Sequence, residues 1–492
     1  MRFADKSIIY IGSHVAGSLF PLLTSVIIVR YMSIYDYGTL RQIMLLAVLV
    51  PTSIALGLPQ SLSYFIPRAE SAMQKKQLAL QVLISLSILG AGATILTYLL
   101  QEQISEGFSN PTLKPLAWIY SLYFLFIVPS KCAQSTLLAV GKTNLVSGLD
   151  LVTEVANFSF VVVPLLLGYG LKGVLLCLLV FYGIRFAVML GILLGLEGGF
   201  VKLWDWQIFK AQLHYSLPLW LSFVVTVGRA TVDKFLVVYL YRPEDFAIYS
   251  RGAFELPLIG MVPFALANLL GPKFAEAYGR GETESIISLW REAARKVAHV
   301  FFPLFVFCFI FAESIITLLF TTQYRGSVEI FRIYLCLLPI RIVSYKTILI
   351  ATGTTKPILG AAIIGFVASL ALGIGLEATV GLTGPAFGNV IGEALGLGYM
   401  LWHSRQVLNV SWAALVPAQK LAQPLWGAAL VGMVILPPFH FAGLEHPGLV
   451  VAFAAVYFAG YIAFMRIFRF FTEEDWALIR RCATLKVLRD LR

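Results

Sequence analysis

Charged residues are scarce in this chain of 492 residues, where Asp, Glu, Lys and Arg together make up 13% of the sequence. The longest polar stretch, about 271–298, is much shorter than the roughly 50 residues of a small folded domain. The nearest approach to a phosphate-binding loop is Gly141-Lys142-Thr143, where Thr136 stands in place of the first glycine of the GxxxxGK(S/T) motif. The sequence therefore argues against transport driven by an ATPase domain within this chain.

Cysteine and histidine are also sparse. The five cysteines include no CxxC pair, and of the six histidines only His440 and His446 lie near each other. We interpret the cysteines as small apolar packing residues, since their spacing fits neither a disulfide framework nor a metal cluster. His440 and His446 are expected in a solvated loop. The sequence predicts no metal site, no cofactor and no nucleic-acid partner.

Long apolar runs are what the sequence has in abundance. Hydrophobic residues make up 59% of the chain, and the mean hydropathy is +0.83. Runs such as 82–100, 145–167 and 449–464 match the roughly 20 residues that a helix needs to cross a bilayer. Every backbone polar group must be bonded internally in lipid, which favours helices. We therefore predict an all-α polytopic membrane protein with about fourteen transmembrane helices.

The links between spans predict the orientation, because positively charged segments resist translocation. With a cytoplasmic N-terminus, the cytoplasmic links hold roughly three times as many Lys and Arg residues as the opposite links. The cations assigned to the opposite side are Arg30, Arg41, Lys114, Lys172, Arg242, Arg251, Arg325 and Arg332. The first apolar run is not followed by a small-residue cleavage site, so we expect a retained first helix. Both termini are predicted to be cytoplasmic.

Three pairs of links recur in the same order at a spacing of about 210 residues. They are 29–38 with 238–247, 141–144 with 353–356, and 170–173 with 381–384. Because the period contains an even number of spans, both halves have the same orientation, as in parallel-repeat transporters. This predicts six-helix halves over residues 1–200 and 201–410. Two extra transmembrane helices over 411–470 and a basic amphipathic tail over 471–492 complete the predicted organisation.

Three polar segments on the predicted cytoplasmic side mix aromatic and charged residues. They are 203–210, 284–296 and the tail from 471 onward. This composition is typical of helices that lie in the membrane interface, so we expect surface helices rather than crossings. Their Lys and Arg residues are predicted to attract anionic lipids. A docking surface for a partner enzyme is the alternative.

Two loop segments carry a resemblance to a known family. They are Arg30 with Tyr35-Asp36-Tyr37-Gly38, and Asp233-Lys234 with Asp245-Phe246 and Tyr249-Ser250. With the span layout and the two halves, they resemble the polysaccharide-transporter branch of the multidrug/oligosaccharidyl-lipid/polysaccharide flippase superfamily. The sequence departs from the family at Ala247, where the family loop usually has Gly. No residue pattern specifies a glycan.

The resemblance implies a flippase of the bacterial inner membrane that acts by alternating access. Its substrate would be an undecaprenyl-pyrophosphate-linked oligosaccharide for O-antigen, capsule or exopolysaccharide, that is, a repeat unit of a surface glycan such as lipopolysaccharide. A glycan polymerase and a chain-length regulator are candidate partners, and we expect the protein to function as a monomer and not as an enzyme. The alternatives are a small-molecule or multidrug antiporter of the same superfamily and a membrane-embedded glycan polymerase or ligase.

Arginines at membrane depth are the candidate binding residues. A charge at the centre of a bilayer costs about 2.5–3.5 kcal/mol on insertion scales, so it usually faces a cavity or a partner. Arg185, Arg229 and Arg341 lie within predicted spans, and Arg30 and Arg68 lie at predicted helix ends. We predict that these five line a cationic cavity for a pyrophosphate, because the guanidinium fork binds phosphate oxygens in pairs.

Asp233 is the candidate coupling residue. It follows Arg229 by one helical turn, so the two side chains share a face and can pair. One interpretation is a structural ion pair. The other is that protonation of Asp233 releases Arg229 for the ligand and ionisation recaptures it, which would supply two states for alternating access.

Overall fold

The computed structural model describes residues 20–197, 199, 203–254, 256–441, 447–468 and 470–471. Within these ranges the regular elements are helices, and no strand occurs. By contacts the chain divides into two compact units, the first ending at Ile248 and the second beginning at Tyr249. The all-α prediction is confirmed.

The first unit contains the helices up to the start of α10, which crosses the boundary. They are α1 (Phe20–Tyr31), α2 (Ile34–Ile54), α3 (Leu58–Phe65), α4 (Ala72–Leu99), α5 (Gln101–Gly107), α6 (Leu113–Ala139), α7 (Thr143–Leu166), α8 (Gly170–Leu194), α9 (Trp206–Leu240) and α10 (Pro243–Gly252).

The second unit contains the remaining helices. They are α11 (Pro257–Gly279), α12 (Thr283–Ile310), α13 (Ala312–Phe320), α14 (Ser327–Leu335), α15 (Leu337–Ile340), α16 (Lys346–Ala351), α17 (Lys356–Val380), α18 (Gly384–Leu408), α19 (Trp412–Leu415), α20 (Ala418–Phe441) and α21 (Pro447–Ile467).

Nine segments of the described chain are long and apolar enough to cross a membrane. They lie on α2, α4, α6, α7, α8, α12, the continuous stretch Lys356–Leu408, α20 and α21. Lys356–Leu408 holds two helices, α17 and α18. The other predicted spans fall on α1, α9, α11 and the interrupted run α14–α16, which miss one or more of the length and composition criteria. The chain is therefore a multi-pass membrane protein.

The segments predicted as surface helices, 203–210 and 284–296, do not form separate helices. Asp205 caps α9 by accepting hydrogen bonds from the backbone N–H groups of Gln207 (3.0 Å) and Ile208 (3.2 Å), and the helix then continues to Leu240. Segment 284–296 likewise forms the first turns of α12. Residues 206–210 and 284–296 are thus the first turns of long helices, and no glycine or proline lies in the six residues that follow either stretch. The predicted beginning of the first span near Ile8 and the tail 472–492 lie outside the described residues.

Links paired by the repeat share backbone conformations. Gly141 and Gly353 have φ angles of +79° and +73°, and Gly170 and Gly381 have φ angles of +61° and +62°. These left-handed conformations favour glycine, which has no Cβ. The contact boundary at Ile248 differs from the predicted repeat boundary at residue 200, because α9 packs against α2 and α3. The contacts describe packing, and the division into repeat halves stays a prediction.

A polar network fixes the start of α2. The Asn110 side chain donates to Thr39 Oγ1 (2.9 Å) and Gln42 Oε1 (2.6 Å) and accepts from the Tyr35 hydroxyl (2.7 Å). Gln42 in turn donates to the carbonyl oxygen of Phe108 at 3.1 Å. These bonds connect α2 to the link between α5 and α6 and so fix the rotation of α2 about its own axis.

Glycines allow α17 and α18 to pack backbone against backbone. A Cβ atom built on Gly388 of α18 would lie 2.5 Å from the backbone nitrogen of Gly373, and one on Gly392 would lie 2.1 Å from Ser369 Oγ. Small residues spaced by four along a membrane helix permit such close approach. The two helices therefore form a tightly packed hairpin.

Candidate functional site

The two predicted helix-end arginines are exposed in the structure. Arg30 is the penultimate residue of α1. Arg68 ends a short 3-10 turn after α3, where its guanidinium lies 3.8 Å from the centre of the Tyr64 ring and donates to the Tyr64 carbonyl at 2.9 Å. The Tyr64 ring stacks on Tyr215 of α9 with a centroid distance of 4.4 Å. Arg68 is therefore held against an aromatic pair.

Arg185 lies within α8 and is partly buried. Its Nε atom is buried and makes no hydrogen bond with the described residues. Glu154 of α7 and Tyr182 of α8 are close enough to interact with it electrostatically. The structure thus places an acid beside Arg185, a neighbour that the sequence did not predict.

Arg229 and Asp233 lie one turn apart on α9, as the sequence predicted. Asp233 is 1% exposed and sits on the buried stripe of the helix with Val232 and Leu236, whereas Arg229 is partly buried. The N-terminal part of α9 is fixed to the residues that follow α2. Ser216 donates its hydroxyl hydrogen to the Leu56 carbonyl at 2.8 Å.

Arg341 follows α15 in the second unit and forms an ion pair with Glu393 of α18. Its Nε atom lies 3.1 Å from Glu393 Oε1, with the two side chains 23% and 8% exposed. Glu393 is 52 residues away in sequence, so spacing could not reveal this pair. The carboxylate neutralises part of the charge that we predicted for pyrophosphate binding. Removing one partner of a buried ion pair typically costs about 3–5 kcal/mol, so the pair gives Arg341 a structural role, and its binding role stays a prediction.

Arg41 is a further candidate site residue, which the sequence alone does not single out. We assigned it to an external link, and this assignment is wrong: Arg41 lies two turns inside α2. The Ser33 hydroxyl accepts a hydrogen bond from the Asp36 backbone N–H (3.0 Å) and starts the helix there. The pattern Ser33-Ile34-Tyr35-Asp36 is a recognisable N-cap signal that would have moved the predicted start of this span forward.

Arg41 has no acidic partner among the described residues. It lies on the less buried face of α2 together with Met44 and Val48. Its Nε atom is buried without a hydrogen bond, and Arg41 forms no ion pair with the residues that the structure describes. A guanidinium within a membrane-crossing helix requires water or an anion, because contact with lipid alone is costly.

Five predicted arginines and Asp233 are thus distributed over both units. Arg30, Arg68, Arg185, Arg229 and Asp233 belong to the first unit, and Arg341 belongs to the second. Their role in binding stays a prediction. In the described part of the chain, no group of three His, Cys, Asp or Glu residues is arranged to hold a metal ion.

Comparison with solved structures reveals similarity along most of the chain. The lipid II flippase MurJ in an inward closed conformation is 16% identical with a TM-score of 0.76, and the match covers 94% of this chain and 98% of MurJ. An inward-facing multidrug resistance MATE family transporter of the MOP superfamily is 17% identical with a TM-score of 0.64 (82% and 98% coverage). A MOP superfamily transporter from Pyrococcus furiosus is 17% identical with a TM-score of 0.55, and the match covers 83% of this chain and 96% of that transporter.

The sequence itself matches one family. Residues 27–329, more than half of the chain, match the family described as polysaccharide biosynthesis protein. No curated protein matches the sequence. The structural similarities establish the fold and the family match establishes the relationship, so the resemblance stated from the loop motifs is confirmed. The chain has the fold of the MurJ and MATE transporters and belongs to the polysaccharide biosynthesis protein family.

Proposed function

We propose that this protein is a flippase that moves an undecaprenyl-pyrophosphate-linked oligosaccharide across the bacterial inner membrane by alternating access. The substrate class would be a repeat unit of O-antigen, capsule or exopolysaccharide. Family membership supports a role in polysaccharide synthesis, and the fold similarity to a lipid II flippase supports a lipid-linked substrate. Translocation breaks no covalent bond, so no catalytic residue is required. Cytoplasmic termini and function as a monomer remain part of the proposal.

The observation that carries this proposal is the position of Arg41. A cation inside a membrane helix, without an ion pair in the described chain, needs an anionic or aqueous environment. We infer that it faces a water-filled cavity, where a pyrophosphate would satisfy it. Arg229 would act with it, and Arg30 and Arg68 would attract the headgroup from helix ends. An organic cation would be repelled by such a site, which disfavours the drug antiporter.

Deleting the gene tests the proposed function directly. We expect undecaprenyl-pyrophosphate-linked oligosaccharide to accumulate on the cytoplasmic face of the inner membrane, because synthesis continues while translocation stops. The measurement is mass spectrometry of extracted lipids, combined with the accessibility of the glycan in inverted and right-side-out vesicles. Restoring the gene should restore surface glycan. Normal surface glycan with increased sensitivity to cationic dyes would instead support the antiporter.

Asp233 is the residue that we propose for coupling. Asp233→Asn keeps the shape of the side chain but removes its charge, so Arg229 could no longer alternate between the carboxylate and the ligand. We expect a folded protein whose export rate depends on pH differently from that of the wild type. The measurement is translocation in proteoliposomes across a pH series. A well-folded Asp233→Asn variant with an unshifted pH profile would leave only the structural role.

A further inference from the structure

Arg185 lies on the more buried face of α8. Phe181 and Met189, one turn before and after it, are buried, whereas Ile184 and Val188 are 52% and 46% exposed. Residues four apart in a helix share a face, so Arg185 points with Phe181 and Met189 toward the interior of the first unit. Arg185 therefore lies on the more buried face of α8 and not on the exposed face that carries Ile184.

The neighbours of Arg185 form a small polar cluster between α7 and α8, which pack against each other. We call Glu154, Tyr182 and Arg185 the α7–α8 cluster. Each of the three side chains lies close enough to the other two for an electrostatic interaction. None of them forms a hydrogen bond or an ion pair with the described residues, so their donors and acceptors remain available to a ligand.

The composition of the α7–α8 cluster decides between two kinds of ligand. A pyrophosphate carries several negative charges and would be repelled by the Glu154 carboxylate. A sugar hydroxyl is neutral, donates to a carboxylate and accepts from a guanidinium, so one ring with adjacent hydroxyls satisfies both. The Tyr182 hydroxyl can donate and accept as well. Tyr182 also packs against the rings of Tyr123 (5.2 Å) and Phe181 (5.3 Å), which fixes its orientation.

We propose that the α7–α8 cluster is a subsite that recognises sugar hydroxyls of the transported glycan. The inference rests on the proposed flippase function and assigns Arg185 to the glycan rather than to the pyrophosphate. Glu154 accepts hydrogen bonds from the sugar, Arg185 donates to it, and the Tyr182 hydroxyl completes the set. Sites built to hydrogen-bond hydroxyl groups discriminate strongly against ligands without them, so this cluster contributes to the choice of glycan.

The test compares two lipids that differ only by the glycan. The full chain in lipid nanodiscs is titrated with undecaprenyl pyrophosphate and with lipid-linked oligosaccharide extracted from cells lacking the gene. Glu154→Gln is expected to weaken binding of the glycan-bearing lipid by about tenfold or more, since a hydrogen bond to a charged group is altered. Tyr182→Phe removes a neutral hydrogen bond and is expected to weaken the same binding by about two- to tenfold. Binding of undecaprenyl pyrophosphate should stay within about twofold of the wild type.

A matched control is Glu102→Gln, which makes the same chemical change at an exposed carboxylate paired with Lys114 at 2.6 Å. It should leave both affinities unchanged. Equal weakening of both lipids by Glu154→Gln, or no change in either, overturns the subsite. If Glu154→Gln fails to fold, the same two outcomes in Tyr182→Phe, which removes a single hydroxyl, decide the question. Wild-type protein that binds neither lipid overturns the proposed function, and the subsite with it.

Discussion

Replacing Arg41 by Ala should reduce surface glycan to about a tenth of the wild-type level or less. The reason is the loss of charge-assisted hydrogen bonds to the pyrophosphate, each worth about 1.5–3 kcal/mol or roughly 10- to 150-fold in binding. Arg41 forms no ion pair with an acid in the described chain, so its removal leaves no carboxylate without its partner. The protein level should therefore stay normal. The measurement is quantitative glycan staining alongside an immunoblot of the membrane fraction.

The controls for Arg41 separate charge from geometry. Arg41→Lys keeps the charge but loses the planar fork, so we expect partial export. Arg280→Ala removes an exposed arginine paired with Glu276 at 2.6 Å near the end of α11 and should have no effect. Wild-type export in Arg41→Ala cells would refute the role of Arg41 in substrate binding. Loss of the protein itself would assign Arg41 to folding.

The second large effect is expected at the glycine hairpin of α17 and α18. Gly388→Ala should destabilise the protein by about 2 kcal/mol or more, because its methyl group would meet the Gly373 backbone nitrogen at 2.5 Å and backbone atoms cannot rotate away. Gly398→Ala lies on the same helix with nothing within 4 Å of the added carbon. There, alanine should stabilise by up to about 1 kcal/mol, because it favours the helix.

The measurement for this pair is thermal unfolding in detergent, followed by tryptophan fluorescence or by loss of soluble monomer. Opposite shifts of the two melting temperatures are expected from one chemical change on one helix. Equal shifts would show that the contact at Gly388 is not tight. Export by Gly398→Ala should match the wild type.

The sequence predicted the membrane helices well because the bilayer imposes one strong requirement. An apolar run of about 20 residues is a signal that needs no knowledge of tertiary structure. The predicted helix boundaries are wrong where two local sequence signals favour different structures. The amphipathic starts of α9 and α12 have the composition of separate surface helices, although each continues into the apolar part of its helix. The hydropathy pattern alone starts this span near Gln42, whereas the N-cap at Ser33 places Arg41 inside α2.

The candidate site was predicted only in part. Arg229 and Asp233 could be related because helical geometry places residues four apart on one face. The neighbours of Arg341 and Arg185 could not be derived in this way. Glu393 reaches Arg341 from another helix, and Glu154 reaches Arg185 from the preceding one. The pairing of acids with arginines depends on the rotation and depth of each helix. The apolar residues of a membrane helix indicate neither of these quantities well.

The polar network at Asn110 has a consequence for biosynthesis. Thr39 and Gln42 precede their common partner by 71 and 68 residues, so α2 leaves the ribosome well before Asn110 has been made. During this interval the Gln42 amide has neither Asn110 nor the Phe108 carbonyl, and it must be hydrated or paired elsewhere. We therefore expect this network to constrain the rotation of α2 only after the link between α5 and α6 has been made.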